Sequence, residues 1–303
     1  MTYNAKKRPL EFFGQDTDYA PRATPNSWRQ GSGDKVLNCP FQGDKECMKI
    51  TKTPPVEIIG CCTAGLPNPN RRGSFDAVII CPKRFLQNDT IFKDISSHIF
   101  NRMPYASNIS EIKVFSELGT PAPHSRLIDL TMVPFNKAGE VLDYLVIELQ
   151  ATATGSTGPI VPARNEFFGF SKTPFRQSYD FGTNIKMSCK TILEQILHKV
   201  PLFTNWKRKT LLIVQDTFLI HLKECYNFSA FTNFDLNHDF FIFSYSLDKQ
   251  SYGFKIALKS KLSGLANDVE RCILPNPTTI LGTSQLESEF KEKFFDREPF
   301  LTI

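Results

Sequence analysis

No stretch of this sequence approaches the roughly 18–20 consecutive apolar residues that a membrane-spanning helix needs. Its opening residues, MTYNAKKRPLEFFG, lack the apolar core of a signal peptide, so the expectation is a cytoplasmic protein. No internal repeat is visible, which argues against a solenoid or a propeller. A strong charge bias is missing as well. Lys and Arg number 36 against 31 Asp and Glu, a net charge of +5 that suits a polyanionic partner without demanding one. The poverty in apolar residues that marks disorder is not found either. The chain is 41% hydrophobic and 12% aromatic, with 27 Phe, and its 303 residues suffice for one large or two modest domains with a sizeable core.

The cysteines lack tight C-x-x-C pairs of the kind that build zinc ribbons and many iron–sulfur sites. What they have instead is density. Of eight, Cys39, Cys47, Cys61, Cys62 and Cys81 fall within the first 81 residues. In a reducing compartment such a cluster points to a metal rather than to disulfides. With Cys62 as third ligand the spacing is C-x7-C-x14-C-x18-C, and four thiolates match a tetrahedral Zn²⁺ or a single iron ion. Cys61 and Cys62 are adjacent, and one metal rarely takes both. The bland alternative is that two or three of these are core cysteines, as Cys189, Cys225 and Cys272 are expected to be.

Patterning divides the chain into a small N-terminal module, residues 1–88, and a larger α/β unit, residues 89–303. Residues 15–36 read as irregular, being rich in Pro, Asp, Ser, Gly and Arg. Ile91, Phe92, Ile95, Ile99 and Met103 recur at helical spacing behind a capping Asp89 or Thr90, and Pro104 ends the run. The period then changes. EIKVFSEL (111–118), RLIDLTMV (126–133) and VLDYLVIELQ (141–150) read as successive strands, with NKAGE as the hairpin turn before the last. Ile185, Cys189, Ile192, Leu193, Ile196 and Val200 share a helix face. Leu211, Gln215, Phe218 and Leu222 predict a second helix after the basic WKRK. FFIFSYSL and FKIALKSKL read as an antiparallel strand pair, and SQLESEFKEKFF as a C-terminal helix.

The strand YLVIELQ is apolar yet carries Glu148 and Gln150. Alternation puts both on one face, about 6–7 Å apart. A tight hairpin would bring Asp129 beside them, and Glu111 lies one strand further upstream. Carboxylates are hard ligands that suit Mg²⁺. An amide at Gln150 can orient a water or a phosphate oxygen but is neither a cation nor a strong base. The alternative is that Asp129 and Glu148 satisfy structural hydrogen bonds. On the metal reading their like charges repel when no metal is present, so removing Glu148 is expected to leave the fold intact.

These two sets of residues resemble the NotI-like type II restriction endonucleases. The resemblance rests on EFFG, NCPF, ECMK, GCCTA and VIICPKRF near the N-terminus, and on EIKVF, LIDLTMV and YLVIELQATATGSTG in the centre. NWKRKTLLIVQ and the later strand pair are similar in placement, so it touches residues 11–275 or so. It implies a PD-(D/E)xK nuclease core, a mixed sheet flanked by helices, in which Gln replaces the usual Lys. It assigns Glu111, Asp129, Glu148 and Gln150 to the active site, with Asp129 and Glu148 holding the catalytic Mg²⁺. It assigns Cys39, Cys47, Cys62 and Cys81 to one structural Fe or Zn beside the nuclease domain. The proline of the PD motif is missing here, and Ile128 stands before Asp129.

The activity so implied is Mg²⁺-dependent, site-specific hydrolysis of double-stranded DNA to 5′-phosphate and 3′-hydroxyl ends. A homodimer is expected, because a palindromic site mirrors two-fold symmetry. A cognate DNA methyltransferase would be a genetic partner rather than a physical one. Residues Arg71, Arg72, Lys83, Arg84, Arg164, Asn165, Lys172 and Arg176 are candidates for DNA contact, the last four on what reads as a loop after Gln150. Two other classes remain open from the residues: an iron–sulfur repair or processing nuclease, and a non-catalytic DNA-binding protein with a zinc module.

Overall fold

A computed structural model describes residues 7–21, 38–43, 45–47, 49–51, 57–67, 75–108, 112–113, 127–154, 158–176, 178–274 and 288. The architecture is mixed α/β. Near the N-terminus, β1 (Arg8–Phe12), β2 (Gln15–Asp16), β3 (Cys61–Pro67) and β4 (Phe75–Ile79) form an antiparallel sheet in the order β2-β1-β3-β4. Gln15 and Asp16, expected in an irregular segment, are thus paired with Phe12 and Glu11. A 3-10 turn, Pro82–Asp89, leads into α1 (Thr90–His98).

That helix stops short of Met103. The amide of Arg102 donates to the Ser96 carbonyl, and Asn101 and Arg102 take positive φ, so the chain folds back instead of continuing. Phe100 is pulled into the core by this turn, while Met103 stays exposed. Pro104 adds to the break, since the residue before a proline is driven away from helical ψ.

The strands follow: β5 (Tyr105–Asn108), β6 (Ile112–Lys113), β7 (Leu127–Ile128), β8 (Leu130–Pro134) and β9 (Leu145–Gln150). Between β8 and β9 runs the expected hairpin turn. Gly139 takes φ +82°, open to glycine without a Cβ penalty, and Asn136 Oδ1 accepts from the amides of Ala138 and Glu140. The segment expected as a loop after Gln150 contains a helix, α2 (Ile160–Phe167). Its Ile160, Ala163 and Phe167 are buried against Phe12 and Phe168, and Pro162 sits in the first turn, where the missing N–H costs nothing.

The long α3 (Ile185–Asn205) is capped by Asn184, whose side chain accepts from the Met187 amide. Residues 211–215, expected in a helix, belong to the strand β10 (Lys209–Gln215) instead; only at Asp216 does α4 (Asp216–Cys225) begin. The reason is burial on both faces. Leu211 and Ile213 enter one core, Leu212 and Val214 the other, as a central parallel strand requires. Then come β11 (Thr232–Asn233), the expected antiparallel pair β12 (Phe240–Gln250) and β13 (Gly253–Gly264), and α5 (Ala266–Arg271). The expected C-terminal helix at 285–296 lies outside the described residues apart from Ser288.

Among the described residues the main sheet has seven strands, in the order β11-β13-β12-β10-β9-β8-β5. β10 runs parallel to both β9 and β12; the other pairs are antiparallel. β6 and β7 form a separate two-stranded ribbon. One face of the sheet packs on α1 through Leu145, Ile147, Leu149, Ile213 and Phe243; the other packs on α3, α4 and α5. The small N-terminal sheet is fastened to the strand ends. Gln215 accepts from the Ile79 amide at 2.8 Å and donates to the Ala77 carbonyl at 2.7 Å, and the Thr152 amide donates to Ile79. No helix among the described residues is long and apolar enough to cross a membrane.

Candidate active site

β9 lies between antiparallel β8 and parallel β10. Leu130 faces Ile147 and Thr131 faces Val146, and Asp129, in the gap between β7 and β8, reaches the Leu149 amide of β9 with its carboxylate. Strand alternation then assigns faces. Leu145, Ile147 and Leu149 point to the α1 side, whereas Val146 packs with Ile128 and Phe203 of α3. Glu148 and Gln150 share the α3 side by the same alternation.

Each of the two carboxylates has a protein partner at the end of β9. Asp129 Oδ2 accepts from the Leu149 amide at 2.9 Å. Glu148 is fully buried, and its Oε2 lies 2.6 Å from Nζ of Lys199 on α3, itself almost without exposed surface. An unpartnered carboxylate could not be held there. The pairing also revises one expectation. Removing Glu148 would not relieve a repulsion at no cost, because it would take away the carboxylate opposite a buried ammonium. Gln150 is half-buried and donates from Nε2 to the Ala151 carbonyl. Glu111 lies outside the described residues. Among the described residues no group of three or more His, Cys, Asp or Glu side chains stands at metal-ligating spacing. The donor chemistry at Asp129 and Glu148, two hard carboxylates, nevertheless fits a divalent cation such as Mg²⁺.

Lys199 was not singled out from the sequence, although a signal existed. It stands three residues after Ile196 and seven after Ile192, on the helix's apolar stripe, where a lysine demands a buried partner.

The N-terminal cysteines gather around Cys81. Burial raises the thiol pKa at Cys39, and at Cys47 to about 11; the nearby Cys81 sulfur adds to the rise at both. Cys62 is pushed well above the ordinary thiol range by burial and then by Cys81. The amides of Ile80 and Cys81 both donate to the Cys62 carbonyl, tying β3 to the end of β4. Cys61 packs in the apolar cluster of Phe12, Ile59 and Ile80, and burial raises its thiol to about 12. The soft donors Cys39, Cys47, Cys62 and Cys81 fit Fe or Zn by type. As at the carboxylates, they do not close to ligand geometry among the described residues.

The basic candidates divide. Arg71 and Arg72 lie outside the described residues, Lys172 is exposed, and Lys83 is half-buried in the turn behind Cys81. Arg84 is turned wholly inward. Its Nε is 2.8 Å from Glu11 Oε2, its Nη2 donates to the Phe254 carbonyl, and its guanidinium lies over the Phe41 ring. Arg164 is buried too, pairing with Glu57 at 2.9 Å and donating to the Ile58 carbonyl and to Asn165 Oδ1. Burial holds its pKa below the usual guanidinium range. Guanidiniums without exposed surface do not meet a phosphate in this conformation, so Arg84 and Arg164 act as internal fasteners and Asn165 is engaged by Arg164. Arg176 keeps a largely exposed side chain, paired with Glu166 at 3.0 Å.

The family model of the restriction endonuclease NotI matches residues 29–256, a span that holds the cysteine cluster, α1, and every strand from β3 to β12. The chain belongs to the NotI restriction endonuclease family. It is therefore a DNA-cleaving hydrolase of the restriction type, and double-stranded DNA is its substrate class. No curated protein matches the chain. The NotI match covers both halves of the candidate chemistry, the carboxylates at β8–β9 and the thiols around Cys81.

Proposed function

We propose that this protein is a type II restriction endonuclease that uses Mg²⁺ to hydrolyse both strands of a specific DNA site, leaving 5′-phosphate and 3′-hydroxyl ends. The observation that carries the reading is the Asp129 carboxylate bonded to the amide of Leu149, the residue after the buried Glu148, at the end of the central strand β9. The element order supports a PD-(D/E)xK core. α1 precedes antiparallel strands ending in β8 and β9, and α3 then crosses over to β10, parallel to β9.

Asp129 and Glu148 would hold the Mg²⁺, with Glu111 as a further candidate. Mg²⁺ held there would supply positive charge that makes the attacking water more acidic and stabilises charge developing on the phosphate. Gln150 orients the water or a phosphate oxygen with its amide. Water adds to phosphorus, the P–O3′ bond breaks, and the departing oxygen takes up a proton. Cys39, Cys47, Cys62 and Cys81 would hold one structural Fe or Zn at the base of β3 and β4. Lys83, Lys172 and Arg176 remain the candidates for phosphate contact among the described residues. The protein works as a cytoplasmic homodimer, one nuclease centre per strand, alongside a methyltransferase that protects the same site.

The test is digestion of a DNA of known sequence with purified protein and Mg²⁺, followed by mapping of the ends. Discrete, reproducible ends with ligatable 5′-phosphates support the reading. DNA that is bound but uncut at any Mg²⁺ concentration points to a non-catalytic DNA-binding protein.

A further inference from the structure

Gln150 leaves β9 without a cation beside Glu148, yet a cation is there. Lys199 Nζ reaches the Glu148 carboxylate at 2.6 Å from a helix 51 residues away in sequence. The side chains are 3% and 0% exposed, so water screens neither. Stability alone does not account for such a pair, because well-packed apolar residues of similar volume are often as stable or more so. The neighbours on the α3 stripe, Ile192, Ile196 and Val200, show that an apolar residue suits the surroundings. Position adds a second reason. Asp129 Oδ2 accepts from the amide of Leu149, the residue after Glu148, so a second carboxylate reaches the same end of β9, and a positive charge paired with Glu148 offsets the negative charge gathered there.

We propose that Lys199 is a positioning residue of the active site: it holds the Glu148 carboxylate in one orientation and serves as its counter-ion until the divalent metal binds. This rests on the reading of Asp129 and Glu148 as the catalytic carboxylates. Two consequences follow from one carboxylate serving two cations. Lys199 competes with Mg²⁺, so metal binding is coupled to the Lys199–Glu148 contact. Its removal tightens metal binding while the reaction slows, because Glu148 loses its fixed orientation. A lysine that merely holds α3 to the sheet would produce neither effect.

The experiment compares wild type with Lys199→Met and Lys199→Arg in three measurements. These are melting temperature with and without Mg²⁺ and no DNA, affinity for cognate DNA without Mg²⁺, and single-turnover cleavage across a Mg²⁺ titration. The expected results for Lys199→Met are a lower metal-free melting temperature, a larger upward shift on adding Mg²⁺ than in wild type, and near-normal DNA affinity. Its half-saturating Mg²⁺ should be lower and its maximal cleavage rate reduced about tenfold or more. Lys199→Arg, keeping the charge, should recover part of the rate. If Lys199→Met does not fold, Lys199→Gln replaces it, since its amide still donates to Glu148 while the charge is gone.

Cleavage at the wild-type rate with wild-type Mg²⁺ dependence, in a neutral variant that is folded at the assay temperature, overturns the proposal. So does an unchanged Mg²⁺-induced shift in melting temperature. A Glu148→Gln control separates the two levels of inference. If it still cuts DNA normally, the active-site reading itself fails. If it is inactive while the neutral Lys199 variants behave as wild type, only the role of Lys199 fails.

Discussion

Asp129 and Glu148 both reach the end of β9, yet they should respond differently to substitution. Glu148 accepts from a buried ammonium. Breaking such a pair from one side leaves a charge uncompensated and costs about 3–5 kcal/mol. Glu148→Ala should therefore lower the unfolding free energy by about that much, and Glu148→Ala with Lys199→Met should recover a large part of it. Asp129 Oδ2 accepts a backbone hydrogen bond of 2.9 Å from the Leu149 amide. The carboxamide of Asp129→Asn can accept the same bond, so this variant should keep its stability while cleavage falls by orders of magnitude. Urea denaturation beside single-turnover cleavage separates the two behaviours. Equal stability of the two single variants would show that the Lys199–Glu148 contact contributes little to the fold.

The small N-terminal sheet meets the main one where β9 and β10 end. Gln215 closes β10 and is nearly buried, and both ends of its amide bond to the backbone of β4. Its neighbour in the sequence, Val214, pairs with Gln150 across the parallel ladder, so this junction adjoins the candidate active site. Gln215→Leu keeps the volume but leaves the Ile79 amide and the Ala77 carbonyl without their partner. Buried groups left in this way cost about 1–3 kcal/mol. The variant should melt at lower temperature, and the amides of Ile79 and Thr152 should exchange faster with solvent while those of β12 stay protected. Uniform protection across both sheets would mean that the Gln215 contacts are not what joins the elements.

For the molecule as a whole, the cysteines weigh on folding more than on turnover. Five of them lie in a module whose apolar cluster also includes α2, so loss of a metal there would loosen the support beneath the strand ends. Freshly purified protein should carry about one Fe or Zn per chain. Cys39→Ala or Cys81→Ala should lower soluble yield and thermal stability, because binding energy at such a site is folding energy. Cys61→Ala should be milder, as its thiol packs among apolar side chains. Elemental analysis with no stoichiometric metal would remove the proposed site.

Local pattern determined a good deal of this protein. Alternation in YLVIELQ separates Glu148 and Gln150 from Leu145, Ile147 and Leu149, and the Asn136–Gly139 turn returns the preceding strand with Asp129 alongside. The antiparallel β12–β13 pair and the apolar stripe of α3 follow from periodicity in the same way, since a side chain's face depends on its own chain alone. Partners across faces do not. The run at 211–214 is apolar without a period, and a buried strand and a buried helix read alike there; two cores, one on each side, made it β10. Arg84 and Arg164 look like surface charges in the sequence, and only packing against Glu11 and Glu57 turned them inward. Lys199 found Glu148 because α3 crosses the sheet at that point, a contact between residues distant in the chain that only the tertiary fold could make.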